Sequence, residues 1–474
     1  MNLEQVKTGR NHDSLQKPPE QAGQRIGGRI YSVEFGDAIV DLGAQWSHGE
    51  QNNTMYELVK NLDLLRLSNF RKHFHYSNDD FDATIADQLF RLCKRVLNKA
   101  PLHEESLGKF VTEKFYEEIA ETFGSNETIL KYANAVLSSF RHDVLTQRGV
   151  FSWYDLSMLN NYDRLKGNVY LNWNGLGHGV VLDVIVKKYP NPENELPIYD
   201  KIFFGKEVSE IIWDGDLIVV KCKDKSEYSA DYVIVTVSLG VLKSNDITFK
   251  PTLPDDKLNA IRDLGIAAVS KVVLHFPSKW WKDDDFQTAL LCWDKPDLDK
   301  LAEEFTAGPI KDNKSWLENL YEFHVVEKNP NVLIAWFSGE FVPEIERLPE
   351  KTLVDGITFI LKKFFARKYV VVKPDKILRH NWYSDPHFRG AYSFETLESR
   401  KGNEFGAVTL SKPLVSKSGK LAVLFAGEAS SRTHYGSVHG AIETGYKEAL
   451  RIVDLIDPPC MCNTNYSRPL ILIC

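Results

Sequence analysis

The sequence has no apolar run approaching the ~18 residues of a membrane-spanning helix, which predicts no membrane partner. Cysteine is sparse, six in 474 residues, too few for a disulfide framework in a chain this long. Cys93, Cys222 and Cys292 lie in apolar-patterned segments and read as reduced core thiols. Cys460, Cys462 and Cys474 sit in the tail without partners at metal spacing, so zinc is not indicated. Positive charge is not in excess either. A net charge of -7 gives a nucleic-acid partner no electrostatic support and is compatible with a cationic small substrate. Residues 1–24 lack an apolar core and read as disordered, not as a signal or transit peptide. The last residues offer neither a peroxisomal Ser-Lys-Leu signal nor a prenylation box. The resulting expectation is a cytoplasmic protein, a monomer or weak dimer.

What is present is ordinary for a globular chain: 43% hydrophobic and 26% charged residues, enough length for two domains or one large split domain. Ile30, Val33, Phe35, a Gly36-Asp37 turn and Ile39-Val40 predict a hairpin. Residues 53–67 and 80–145 carry apolar residues at three- and four-residue spacing and read helical. Between Glu207 and Thr236 three strand-like runs follow, the last a continuous apolar run of the kind found in buried parallel strands. Val269–Phe276 reads as a strand and Leu353–Phe365 as a helix. Leu421–Ala426 reads as a strand leading to a helix over Val438–Ile456, with Ala441, Ile442, Gly445, Ala449, Ile452, Val453 and Ile456 on one face.

Several segments suggest chemistry. Gly427-Glu428 ends a buried strand shortly before a helix, the place where open α/β sheets bind ligands. A plain crossover has the same appearance. Arg25, Gly27, Gly28 and Arg29 put two cations around two residues without Cβ, which suits a pyrophosphate or a solvent-exposed turn. Gly43, Ala44, Gln45 and Trp46 suit a backbone lying along a planar cofactor, or a loop whose tryptophan caps the core. Lys271, on an apolar strand, is either an edge gatekeeper or a buried proton-transfer group. His48 is either a surface histidine or a ligand-facing one.

In this order the segments resemble the flavin-containing amine oxidases, specifically the polyamine oxidase branch. The stretches that carry the resemblance are Arg25–Arg29, Asp41–Gly49, Ala230–Lys243, Ser270-Lys271, Trp382–Pro386, Gly390–Ser393 and Leu424–Ala441, spread over about residues 25–455. The resemblance implies an α/β FAD/NAD(P)-binding fold, Rossmann-like and discontinuous, plus an α+β substrate-binding domain. Residues 25–52, 196–255 and 405–457 would form the first, 53–195 and 256–404 the second, with 458–474 as a tail. It further implies non-covalent FAD, and oxidation of a C–N bond of spermine, spermidine or an acetylated polyamine, with O2 as acceptor and H2O2 as product. Lys271 matches the lysine that holds a water near the flavin, and His48 the active-site histidine. Tyr392 matches the aromatic flanking the substrate, with Ser437 opposite it. Glu428 would contact the ribityl or phosphate region and Val208 the adenine end. Trp382 would line the cavity. Val438 replaces a hydroxyl residue common in the family.

Departures from the pattern matter too. Ala391 stands where monoamine oxidases carry the flavin-linking cysteine, so a thioether there is excluded. Gln21 stands where the ribose-binding glutamate is expected, and no Gly-x-Gly-x-x-Gly segment precedes it. That predicts a parallel sheet left with unpaired ladder groups. It also admits an alternative, an inactive isoform without FAD; a lesser alternative is an oxidase of some other amine. No carboxylate for the distal amines is identifiable: Glu303, Glu304 and Glu318 carry no assignment.

Overall fold

The computed structural model describes residues 25–456 and 470–473, apart from 69–70, 79–81, 104, 160–161, 164 and 402–403. The expectation of disorder over 1–24 and the readings of Cys460, Cys462 and Cys474 lie outside these residues. Ser32–Phe35 (β1) and Ala38–Asp41 (β2) form the expected hairpin. Of the helical region predicted over 53–67, only Thr54–Val59 is helix; Arg66 and Leu67 are strand. Lys72–Tyr76 (β3) precedes three helices, Ala83–Asn98 (α1), Leu107–Phe123 (α2) and Glu127–Arg148 (α3). The single helical pattern over 80–145 divides because Ser106 and Asn126 cap new starts, their side-chain oxygens accepting from Lys109 N and Ile129 N.

Val208–Ile212 (β4), Ile218–Cys222 (β5), Glu227–Ala230 (β6), Tyr232–Val235 (β7) and Thr248–Lys250 (β8) follow. Next come Ser270–His275 (β9), Thr288–Cys292 (β10), Leu320–Val325 (β11), Val332–Phe337 (β12), helix Glu350–Phe365 (α4) and Lys376–Arg379 (β13). The last elements are Leu414–Val415 (β14), Leu421–Phe425 (β15), helix Val438–Ile456 (α5) and Leu470–Ile473 (β16).

These strands build three larger sheets. One has the order β13-β9-β12-β11-β10-β3. It is covered on both faces, which explains its nearly continuous apolar strands. Val272 and Leu274 pack with Leu353, Ile357 and Leu361 of α4, whereas Val273 and Ile334 pack with Val136 and Phe140 of α3. The period of two puts Lys271 on the α3 side with Val273. A second sheet, β8-β4-β5-β6, is mostly antiparallel, with β8 and β4 parallel.

The third sheet, β14-β15-β7-β16, revises two expectations. β7 is parallel to β15, as its apolar run predicts. Its other edge, expected to be unpaired, is taken by β16, in parallel register from Leu470↔Tyr232 to Ile473↔Val235. The tail, without assignment in the sequence, thus supplies a strand. The buried stripe of α5 also differs from the predicted one. Ala449 and Val453 are exposed, while Gly440, Thr444, Glu448 and Ile452 are buried. The docking contact there is polar: Thr444 Oγ1 accepts from Gly427 N at 3.0 Å.

Candidate active site

The site forms where the carboxyl ends of β7 and β15 meet the loop after β2. A cleft lined by Arg29, Val235, Val237, Leu242, Phe425 and Glu428 opens there. Gly427 has φ +116°, a conformation that disfavours any side chain; a Cβ there would meet only Thr236 O, at 3.7 Å, so the backbone faces open space. Glu428 is buried. Its Oε1 accepts from Arg29 Nη1 at 2.7 Å, and its Oε2 from Ser393 Oγ at 2.6 Å and Gly436 N at 2.7 Å. Arg29 also donates to Ala391 O at 2.8 Å. Glu428 is therefore a clamp between the N-terminal loop, the Tyr392 strand and the approach to α5.

Arg25 turns back on its own loop, donating to Gly28 O at 2.6 Å and Ile30 O at 3.0 Å, with its guanidinium 4.2 Å from the Tyr31 ring centroid. Gly27 accepts from Ile30 N, and Gly28 has φ +56°. Gly43 lies so close to this loop that a Cβ would come within 1.9 Å of Arg29 O. Ala44 N donates to the same carbonyl, and Trp382, over Gly43, donates to Leu42 O at 3.1 Å. Arg29, Gly43, Ala44, Trp382 and Glu428 are thus brought together. Val208 is not among them: it lies on β4, in another sheet, paired with Cys222. Val438 opens α5 and packs toward Met55 and Val59.

Lys271 is buried at 6% exposure, which removes the edge-gatekeeper reading. Its Nζ donates to Asp41 O at 2.7 Å, Gly43 O at 2.5 Å and Gln45 Oε1 at 3.3 Å, and lies 5.1 Å from the Trp336 ring centroid. Burial pulls its pKa down to about 8 against the partial opposition of Asp41. Asp41 itself is pushed up to about 6 by burial, although Ser32, Lys271 and His178 N favour its charge. Trp46 stacks on Trp336 at 6.3 Å and meets Tyr170 edge-on, so the surroundings of Lys271 are aromatic.

His48 is exposed beside Trp46 and Tyr170, its Nδ1 facing Val169 O. Tyr392 donates to Thr146 O and packs edge-close to Gly149 and Gly436. Ser437 acts as a cap, its Oγ accepting from Gly440 N at 3.1 Å and donating to His434 O at 2.5 Å. Sequence reasoning missed Asp41, Glu322, His324 and Glu443, whose Oε2 lies 2.7 Å from His434 Nδ1. Glu322 and His324 had a signal, two polar residues at period two on an otherwise apolar strand; the others had none.

His142, His178 and His439 are nearly sealed from solvent, and burial pulls each down to about 3. An unfolded imidazole titrates near ~6.5, so the unfolded chain binds more protons below that pH and stability falls on acidification. At pH 5 the loss is about 2 kcal/mol per buried imidazole. Asp41 and the raised carboxyls of Glu346 and Glu395 act in the opposite sense, whereas His75, lowered to about 4 by burial, adds to the loss. The melting temperature should therefore drop steeply from pH 7 to pH 5; a flat profile by circular dichroism would sink this account.

The sequence profile described as flavin containing amine oxidoreductase matches residues 21–164 and 194–453. Among curated relatives, the bovine protein named peroxisomal N(1)-acetyl-spermine/spermidine oxidase is 28% identical, covering 92% of this chain and 90% of its own length. A probable polyamine oxidase 5 of Arabidopsis thaliana is 26% identical over 91% and 92%. The protein anon-37Cs of Drosophila melanogaster is 29% identical over 92% and 85%. No helix of the described residues is long and apolar enough to cross a membrane.

Proposed function

From the premise that the chain belongs to the flavin-containing amine oxidoreductase family, whose cofactor is FAD, we propose that it is a polyamine oxidase. It would oxidise a C–N bond of spermine, spermidine or an acetylated polyamine with O2 and release H2O2. The observation that carries this reading is the buried Lys271, its Nζ fixed against the Asp41–Gln45 loop beside Trp46 and Trp336. The names of the bovine and Arabidopsis relatives support the substrate class.

The residues present fit the cofactor: the cleft ends at Gly427, whose missing Cβ leaves room for a flat ligand, and Arg29 supplies a cation. FAD, when bound, supplies the hydride acceptor. In this reading Arg29, Gly43, Ala44, Trp382 and Glu428 hold it without a covalent link, since Ala391 offers no thiol. Arg25, Gly27 and Gly28 shape the loop that carries Arg29, and Val208 is assigned the distant adenine end. The division into a cofactor domain (25–52, 196–255, 405–457) and a substrate domain (53–195, 256–404) belongs to the same proposal.

On the substrate side, Trp46, Trp336 and Tyr392 offer π-faces to an amine or its ammonium precursor. His48 would hydrogen-bond a substrate nitrogen. Ser437 fixes the start of α5 opposite Tyr392. Lys271 Nζ handles the proton that the amine must lose or the water that follows.

Absorption between 350 and 500 nm, recorded anaerobically before and after adding spermine, spermidine and their acetylated forms, tests the proposal. A flavin band that one of them bleaches, with peroxide released on readmitting air, is the expected result. A flavin band that none bleaches, but another amine does, would overturn the substrate class and leave the family's amine chemistry in place.

A further inference from the structure

Beside the site lies a buried polar chain that the proposed mechanism does not use. It runs from Lys271 into β11. Gln45 Oε1 is 3.3 Å from Lys271 Nζ, and Gln45 Nε2 is 3.3 Å from His324 Nε2. His324 Nδ1 is 3.0 Å from Glu322 Oε1. Glu322 and His324 are 4% and 2% exposed, deeper than Lys271 itself. A buried Glu–His pair has to be held by partners, and here the partners lead to one lysine.

The donor inventory fixes the direction of the chain. An ammonium has protons and no lone pair, so Gln45 must present its oxygen to Lys271. Its amide N–H then points at His324 Nε2, which must accept. The ring proton is therefore on Nδ1 and donates to the Glu322 carboxylate. The links from Lys271 to Glu322 are satisfied while the lysine is charged, and the Trp336 indole N–H, 3.1 Å from the same Nδ1, then gives up that nitrogen as an acceptor.

A neutral Lys271 permits the reverse. Its lone pair can accept from Gln45 once the amide turns over. His324 then carries its proton on Nε2, and Nδ1 takes the Trp336 indole N–H, which lies 3.1 Å away. In that arrangement Glu322 faces a lone pair and loses the His324 donor. The ionised state of the carboxylate and the charged state of the lysine thus support one another through two neutral side chains.

We propose that Glu322, acting through His324 and Gln45, is a positioning residue that keeps Lys271 a charged hydrogen-bond donor. The inference rests on the reading of Lys271 as the proton-handling group of an amine oxidase. Other charges face the chain. Asp41 acts on Lys271 and supports its charge, and Lys271 in turn acts on His178. Lys72, itself paired with Asp143 at 2.6 Å, acts on Glu322, and Tyr170 and Tyr321 complete the surroundings. Breaking the chain at Gln45 removes none of these charges.

The test follows the Lys271 side chain directly. Protein labelled with ε-13C lysine is titrated by NMR without FAD, and the Lys271 signal is assigned by its loss in Lys271→Met. Glu322→Gln is expected to lower the titration midpoint of Lys271 by about one pH unit or more. Gln45→Leu should do the same with Glu322 and its charge intact, and Glu322→Asp should restore most of the shift. In the FAD-loaded protein, the pH profile of amine-dependent flavin reduction should move by the same amount in the same variants. An unchanged Lys271 midpoint in both Glu322→Gln and Gln45→Leu would overturn the inference, whatever the activity. A shift in Glu322→Gln alone would overturn it as well, because a through-space charge effect then suffices. If the NMR shifts appear and no amine reduces the wild-type flavin, the linkage stands and the oxidase reading is what fails.

Discussion

Lys271→Met is expected to abolish most amine-dependent flavin reduction, by roughly 10²–10⁴-fold, while leaving a folded protein. The ammonium is the only group in the described structure that joins the carbonyls of Asp41 and Gly43 to the six-stranded sheet. Methionine matches its length and apolar stem but donates nothing, so two buried carbonyls lose a partner, at about 1–3 kcal/mol each. Relief of the charge's desolvation partly offsets this. The pH dependence separates the two terms. Burial lowers the folded-state pKa of Lys271 to about 8, below the ~10.4 of an unfolded lysine. A base with a depressed folded pKa penalises the fold in full where both states carry the proton, and the penalty is relieved across the window in which the folded chain has lost it and the unfolded chain has not. That penalty is greatest below pH 8 and is relieved as pH rises from about 8 to 10.5, by about 3 kcal/mol. Lys257, lowered to about 7 by burial, adds a similar rise in both proteins. The difference between wild type and variant in urea melts across this window isolates Lys271. Equal pH slopes in the two, or wild-type rates of flavin reduction, would contradict the assignment.

Glu428→Ala should be the most destabilising substitution at the cofactor end. Four donors are arranged around this carboxylate: Arg29 Nη1, Gly436 N, and the Oγ and N of Ser393, the last at 3.3 Å. Removing it leaves the Arg29 cation without its carboxylate in a half-buried setting and cuts three connections at once. Breaking a buried ion pair from one side costs about 3–5 kcal/mol. Glu428→Gln keeps an acceptor for Ser393 and Gly436 but turns an NH2 toward Arg29, so a smaller loss is expected. FAD retention through gel filtration should fall in the same order, Ala below Gln below wild type. A stable Ala variant that retains FAD normally would show that Arg29 finds another anion and that the clamp is dispensable.

Much of this site was legible in the sequence because its pieces are local. The Gly427-Glu428 strand end, the Gly43–Trp46 loop and the Arg25–Arg29 turn each announce themselves by residue type, and the fold brings most of them together. Lys271 was ambiguous for a physical reason: on a strand of period two, the same residue is a gatekeeper at an edge and a buried cation in a covered sheet, and only the tertiary structure decides. Glu428 read as a ligand contact. Its partner Arg29 lies 399 residues away, and a one-dimensional pattern carries no information at that range. The face of α5 was misread because hydrophobic periodicity locates apolar side chains, whereas this helix docks through Thr444. Glu322 and His324 carried a weaker sign, a polar pair at period two on an apolar strand, which marks a buried network only once the sheet is known to be covered on both faces. β16 was invisible to the sequence reading, since a four-residue apolar run names no partner.

The pairing of β16 with β7 has a consequence for synthesis. During translation at ~5–20 residues per second, roughly 10–50 s separate the emergence of Val235 from that of Leu470. Until Phe425 is made, the strand Tyr232–Val235, four buried residues in the finished protein, lacks both neighbours, and from then until Leu470 one edge still offers unpaired amide groups to whatever is nearby. The nascent chain is thus exposed to edge-to-edge association over the whole second half of its production, and its soluble yield should respond to chaperone supply and translation speed more than to changes in the finished core.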